Sequence, residues 1–261
     1  MTEAWVVMGR LRKAVAFVRT RTEMVPRVAI VSGPGLEPAG DAIALEARVL
    51  IPGMDRLAEL CLGRMDGVPV AHLACAADRR RGPSVRERGF PIRVLGLLGA
   101  ELLLLTGACL ALDPRMNLGD LVIVDDHLNL LGDNPLIGPN MDDLGPRFPD
   151  MSELYDRSVQ AMAREAARAA DIPLARGVYA AVPDANLRTS AEYSILGRLG
   201  ADLVGMDVVG EAIVARHMGM RVIGLLVVVD HGPKGGSTHY PPDLAEPRIT
   251  RVIRGLMAEF A

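Results

Sequence analysis

An α/β fold, with a mixed, mostly parallel central sheet flanked by helices, is what the sequence predicts, and three observations carry the prediction. Short runs rich in Val, Ile and Leu, bounded by Gly, Pro or Asp, recur along the 261 residues and have the continuous apolar character of strands buried on both faces. Between several of them lie stretches with apolar residues at helical spacing, the alternation expected of βαβ units. No repeat, low-complexity tract or Pro/Gly/Ser-rich linker divides the chain. A single domain over residues 1–261 is therefore expected, with residues 1–24 as an N-terminal helix and 27–260 as its core.

The N-terminal stretch Ala4 to Val18 repeats apolar residues at helical intervals, yet Arg10, Arg12 and Lys13 interrupt it and no small-residue cleavage site follows. It predicts a docking helix rather than a signal peptide. Strands are expected at Arg27 to Ser32, Val68 to Cys75, Glu101 to Thr106, Asp120 to Asp125, Gly177 to Val182, Asp202 to Met206 and Met220 to Val229. Helices are expected at Ser84 to Leu98, Ser152 to Ala170, Ser190 to Leu199 and Val208 to His217, with a last one covering Pro242 to Phe260. The longest irregular piece, His127 to Asp150, is punctuated by four prolines and three glycines. A loop of that length in a compact domain usually serves function or an interface.

Composition excludes some partners. A net charge of -3 leaves no excess of cations for a phosphate backbone, and with 3% aromatic residues base-stacking surfaces are scarce, so nucleic acid is not an expected partner. No apolar run reaches the ~20 residues that span a bilayer, so no membrane partner is expected either. Cys61, Cys75 and Cys109 match no zinc or redox spacing. They read as buried thiols of a reducing compartment, and the expected location is the cytoplasm.

Two segments could carry chemistry. Ser32-Gly33-Pro34-Gly35-Leu36-Glu37 follows the first strong strand, and a glycine turn there lets backbone N–H groups approach an anion; a tight turn without a ligand explains it equally well. The loop from Asp126-His127-Leu128-Asn129 through Asn134-Pro135-Leu136-Ile137-Gly138-Pro139-Asn140 to Arg147-Phe148-Pro149-Asp150-Met151-Ser152 is more specific. Together with Gly205-Met206-Asp207 and Glu211-Ala212-Ile213-Val214-Ala215-Arg216, it resembles the purine nucleoside phosphorylase family in its trimeric class. Phe90-Pro91-Ile92-Arg93-Val94, Leu97-Leu98-Gly99 and Leu199-Gly200-Ala201-Asp202 anchor the register, and the likeness spans about Val28 to Val229.

The resemblance implies a purine-nucleoside phosphorylase-like glycosyltransferase that cleaves an N-glycosidic bond, with no cofactor or metal and with inorganic phosphate as possible co-substrate. Several family positions are exchanged. Pro34, Arg56, Ala76, Asp78 and Arg80 stand where the family has donors to phosphate and ribose, and Gly107-Ala108-Cys109-Leu110-Ala111 replaces its Asn-Ala-Ala-Gly-Gly strand end. Asp207 replaces a phosphate-holding serine and adds a like charge. Gly33, with Arg56 and Arg80, and with Arg79 and Arg81 nearby, could rebuild an anion site; a solvated basic loop is the alternative. In the base pocket, Leu187-Arg188 replaces the family's Phe-Glu pair, and Asp230 stands where an acid would protonate or hold N7 of the leaving purine.

Met206 matches the methionine beneath the ribose, and Phe148 the aromatic that a neighbouring subunit places over the sugar, which implies a homotrimer. His231 or His239 would meet the 5′ end of the nucleoside. Two alternatives accompany this reading. One is a nucleosidase in which Asp207 holds the ribose hydroxyls, water attacks and Glu37 is a candidate base. The other is a nucleoside-binding homologue without turnover.

Overall fold

The structure is a computed structural model that describes residues 3–38, 42–52, 59–74, 84–183, 189–232 and 239–261. Strand β1 (Val28–Ser32) has five consecutive buried residues because it lies inside the sheet, parallel to β4 (Val68–Ala74) on one side and β5 (Leu102–Ala111) on the other. Its side chains alternate between two cores. Ala29 and Val31 join the cluster under α1 (Glu3–Arg19), α2 (Val85–Leu98) and α5 (Val209–His217), while Val28 and Ile30 join the one under α3 (Arg157–Ala169) and α6 (Glu246–Met257). The result is a sheet with helices on both faces.

Strand order is β2-β3-β4-β1-β5-β8-β7-β6-β9, with β9 (Arg221–His231) also pairing parallel to β5. The second half of the sheet therefore closes on itself through β5, β8 (Leu203–Gly205), β7 (Leu174–Ala181), β6 (Leu121–Asn129) and β9. Closure brings the carboxyl ends of β1, β5 and β8 to one place.

Two strands depart from the expectation: β2 (Ala44–Leu50) and β3 (Glu59–Met65) form an antiparallel edge beyond β4. Most of β2 is at least partly exposed, and both strands carry charged residues such as Glu46, Arg48 and Arg64, so neither shows the apolar run of a buried strand. Helix α2 begins where expected because Ser84 and Glu87 form a capping box, and Gly99 closes it in the left-handed conformation. Helix α3 begins at Arg157, later than the pattern at Ser152 suggests. The Asp156 carboxylate caps the Ser158 and Val159 amides and binds Arg221 Nε at 2.8 Å, which holds its pKa below the usual carboxylate range and fixes the helix start there. The C-terminal helix is likewise split, a short 3-10 turn at Pro242–Leu244 preceding α6.

The N-terminal helix docks as expected: Leu11, Ala14 and Val18 are buried, and Arg19 donates to Met24 O at 2.8 Å and to Leu98 O at 2.7 Å. Among the described residues no helix is long and apolar enough to cross a membrane.

Candidate functional site

The first wall of the site is the turn after β1. Gly33 N donates to Thr106 O at 2.9 Å and Leu36 N donates back to Gly33 O at 3.1 Å. Pro34 followed by Gly35 at φ +75 fits a type II turn, in which proline presets the first corner and glycine accepts the positive φ of the second. A β-carbon on Gly33 would lie 3.3 Å from Gly107 Cα, so two glycines let β1 and β5 approach closely. Behind the turn, buried Ser32 Oγ and His72 Nε2 are hydrogen-bonded at 2.7 Å, and burial lowers the His72 pKa to about 4. His72 is therefore neutral at pH 7.

The second wall is the segment Met206-Asp207-Val208. Val208 takes φ 61 and ψ −35, and Val209 N donates across it to Asp207 O at 2.7 Å, a three-residue turn that strains a β-branched residue. Asp207 N donates to the Tyr179 hydroxyl at 3.1 Å. Helix α5 starts immediately afterwards with no side chain capping it, so the positive end of its dipole lies at this turn. A β-carbon on Gly107 would sit 3.7 Å from Val208 Cγ1. Gly33, Gly107 and the α5 N-terminus thus converge, an arrangement suited to an anion.

Arg88 adds a cation to this wall. Its Nη1 donates to Met206 O at 3.2 Å and lies 3.6 Å from Asp207 Oδ1, while Nε lies 3.8 Å from Glu211 Oε1.

The third wall is the paired ends of β5 and β9. Asp230 faces Leu110 in the ladder just after an irregularity at Cys109, and Leu110 also pairs with Val204 of β8. Asp230 is half-buried, and its Oδ1 accepts the His231 amide at 2.7 Å. It is not a helix cap. Ala108 lines the same strand and is partly open, whereas burial pushes the Cys109 thiol pKa up and keeps it from acting as a nucleophile.

Phe148 lies on the loop between β6 and α3 with 87% of its surface exposed, under the Arg147 guanidinium. Arg93 and Arg86 fasten that loop to α2 by donating to Pro135 O and Ile137 O. His231 is half-buried beside Ala111; His239 is exposed, one residue before Tyr240, whose amide donates to Val229 O at 2.8 Å. Glu37, just past the first turn, is half-buried. Arg56, Ala76, Asp78, Arg79, Arg80, Arg81, Leu187 and Arg188 lie outside the described residues. The structure therefore brings together Gly33, Gly107, Met206 and Asp207, sets Ala108 and Asp230 along the neighbouring strand ends, and leaves Phe148 at the surface.

Comparison with known proteins gives the family. Residues 27–254 match the family model described as the phosphorylase superfamily. A purine nucleoside phosphorylase 1 of Bacillus subtilis is 36% identical over 225 residues, covering 83% of each chain. This chain belongs to the purine nucleoside phosphorylase family. Among solved members, a schistosoma purine nucleoside phosphorylase in complex with hypoxanthine superposes with a TM-score of 0.90 at 26% identity, covering 97% of this chain and 98% of that one. A purine nucleoside phosphorylase in complex with ribose 1-phosphate gives a TM-score of 0.84 at 27% identity, covering 95% and 96%.

Three groups that brace the walls described above escaped the sequence reading: His72, Arg88 and the Tyr179 hydroxyl. A lone imidazole inside the apolar strand Val68–Ala74 was a usable signal, because a buried polar group must find a partner. Arg88 had none, since its partners come from a segment more than a hundred residues away.

Proposed function

We propose that this protein cleaves the N-glycosidic bond of a purine nucleoside by phosphorolysis, releasing the free purine and a pentose 1-phosphate. The observation that carries the reading is the meeting of the Gly33 turn, Gly107 and the uncapped α5 N-terminus, whose helix dipole favours an anion beside it. The ligands named for the solved relatives, hypoxanthine and ribose 1-phosphate, are a base and a sugar phosphate of the same reaction.

In this reading a phosphate oxygen forms a bond to C1′ as the C1′–N9 bond breaks. The bonding pair passes to the purine, and the sugar crosses an oxocarbenium-like state. Asp230 holds or supplies the proton at N7, so the departing base does not accumulate charge. Met206 packs beneath the sugar, and Ala108 and Gly107 leave room for it. Exposed Phe148 closes the pocket of a neighbouring subunit in a homotrimer, which accounts for a large aromatic left open to solvent. Inorganic phosphate is the only co-substrate required, and among the described residues no cluster of His, Cys, Asp or Glu gathers to hold a metal ion. The free thiols Cys61 and Cys109 suit a reducing compartment, which supports a cytoplasmic location, and release of the free base is the step that a role in purine salvage requires.

Purified protein supplied with inosine, guanosine or adenosine should release base only when phosphate is present. Base release without phosphate would establish hydrolysis instead, and calorimetric nucleoside binding with no base release under either condition would make the protein a binding homologue. Asp230→Ala should lower kcat at least about 100-fold, the scale of a lost general acid.

A further inference from the structure

Asp207 sits beside the proposed anion position, where a bare carboxylate opposes a phosphate dianion. The structure supplies a reason that it does not dominate. Arg88 reaches across from α2 to the same point, and the side chains of Arg88 and Asp207 are only 21% and 17% exposed. Glu211, the other carboxylate near Arg88, is 8% exposed in its side chain. In such surroundings charges a few ångströms apart interact several-fold more strongly than in water. Removing one partner leaves the other uncompensated. The hydrogen bond from Arg88 Nη1 to Met206 O also fixes the guanidinium relative to the strained turn, so the cation is held rather than free to swing into solvent.

We propose that Arg88 is a positioning residue that sets the affinity for the anionic co-substrate. By pairing with Asp207 it offsets that carboxylate and draws it toward α2, which leaves the α5 N-terminus open to phosphate. Arg88 itself does not touch the reacting atoms. This role rests on the phosphate binding that the proposed function requires, and it assigns a specificity function to a pair that joins α2 to the end of β8.

The test is a cycle of Arg88→Met, Asp207→Asn and the double variant. Phosphate KM, nucleoside KM and kcat are read by base release, and phosphate dissociation constants by calorimetry. Arg88→Met should raise the phosphate KM about tenfold, equivalent to about 1.4 kcal/mol, with the nucleoside KM changed less than about twofold. Asp207→Asn alone should lower the phosphate KM, and adding it to Arg88→Met should bring the value back within about threefold of wild type.

A merely structural Arg88 gives a different pattern: kcat and both KM values shift together, and Asp207→Asn restores nothing. That pattern overturns the proposal. Should Arg88→Met fail to fold, Asp207→Asn decides alone, because an unchanged or raised phosphate KM contradicts the role. If the wild-type protein shows no phosphate-dependent base release, the phosphorolytic reading fails separately. The order of phosphate dissociation constants, Asp207→Asn tightest and Arg88→Met weakest, then still supports the pair, and any other order or an absence of phosphate binding sinks it.

Discussion

Two turns flank Gly107 and are held in opposite ways. The Gly33 turn is relaxed: glycine takes the positive φ, and its anchor is a neutral hydrogen bond between Ser32 and His72. The Met206–Val208 turn is strained: a β-branched residue takes φ 61, and its anchors are the Tyr179 hydroxyl and the charge of Arg88. The first anchor requires a group that stays uncharged. The second requires groups that stay charged and a backbone that stays bent. Tolerance to acid is therefore limited at the first turn, and the proposed control of anion affinity lies at the second.

The largest effect that can break this contrast is acid. His72 has a folded pKa of about 4 against an ordinary value of 6.5, so between those pH values the unfolded chain takes up a proton that the native state refuses. The stability from keeping it neutral is fully present above pH 6.5 and is lost as pH falls toward 4, about 3 kcal/mol in all. His127 and His217, whose pKa values are also lowered by burial, act in the same direction. Urea denaturation at pH 7 and pH 4.5 should show most of the loss in the wild type and a flatter dependence in His72→Gln. An unchanged slope in that variant would mean that groups other than His72 carry the acid sensitivity.

Next in size is Gly205→Ala. A β-carbon there would run into the hydroxyl of fully buried Tyr179, the group that receives the Asp207 amide. The overpacking should cost about 2–3 kcal/mol in urea denaturation, and Tyr179→Phe should recover part of it by removing the oxygen. Ser32→Ala should follow at about 1–2 kcal/mol, because it leaves the His72 nitrogen buried without its partner. The smallest stability effect is expected of Val208→Gly. Relief of about 1–3 kcal/mol of backbone strain offsets the lost burial of a valine side chain, worth about 1.5–3 kcal/mol. Stability should stay within about 1 kcal/mol of wild type while kcat/KM falls several-fold, because the turn no longer holds Asp207 and the α5 amides in place. If stability and kcat/KM both stay unchanged, the strain at 208 has no functional part.

Much of this was readable in advance, for reasons visible residue by residue. β1, β4, β5 and β9 announced themselves because strands buried on both faces need unbroken apolar runs, and α2 because Ser84 and Glu87 satisfy each other's amides within one turn. Gly33 was singled out by the glycine turn after a strand, and Met206, Asp207 and Asp230 by motif likeness. The exposed strands β2 and β3 were missed because at a sheet edge pairing, not burial, sustains the strand. The start of α3 was misplaced because the choice of Asp156 as cap depends on Arg221, 65 residues away.

The sequence by itself determined the alternation of strands and helices, the glycine turn after β1, the carboxylates at the ends of β8 and β9, and the family to which they belong. Each is written in neighbouring residues, through side-chain periodicity and backbone preference, and needs no distant partner. Only the tertiary structure decided that Arg88 faces Asp207, that His72 is neutral against Ser32, and that Val208 is strained. A side chain's charge state and a turn's strain depend on what the fold brings within a few ångströms: β1 paired with β4 sets Ser32 against His72, and α2 packed on α5 sets Arg88 against the end of β8.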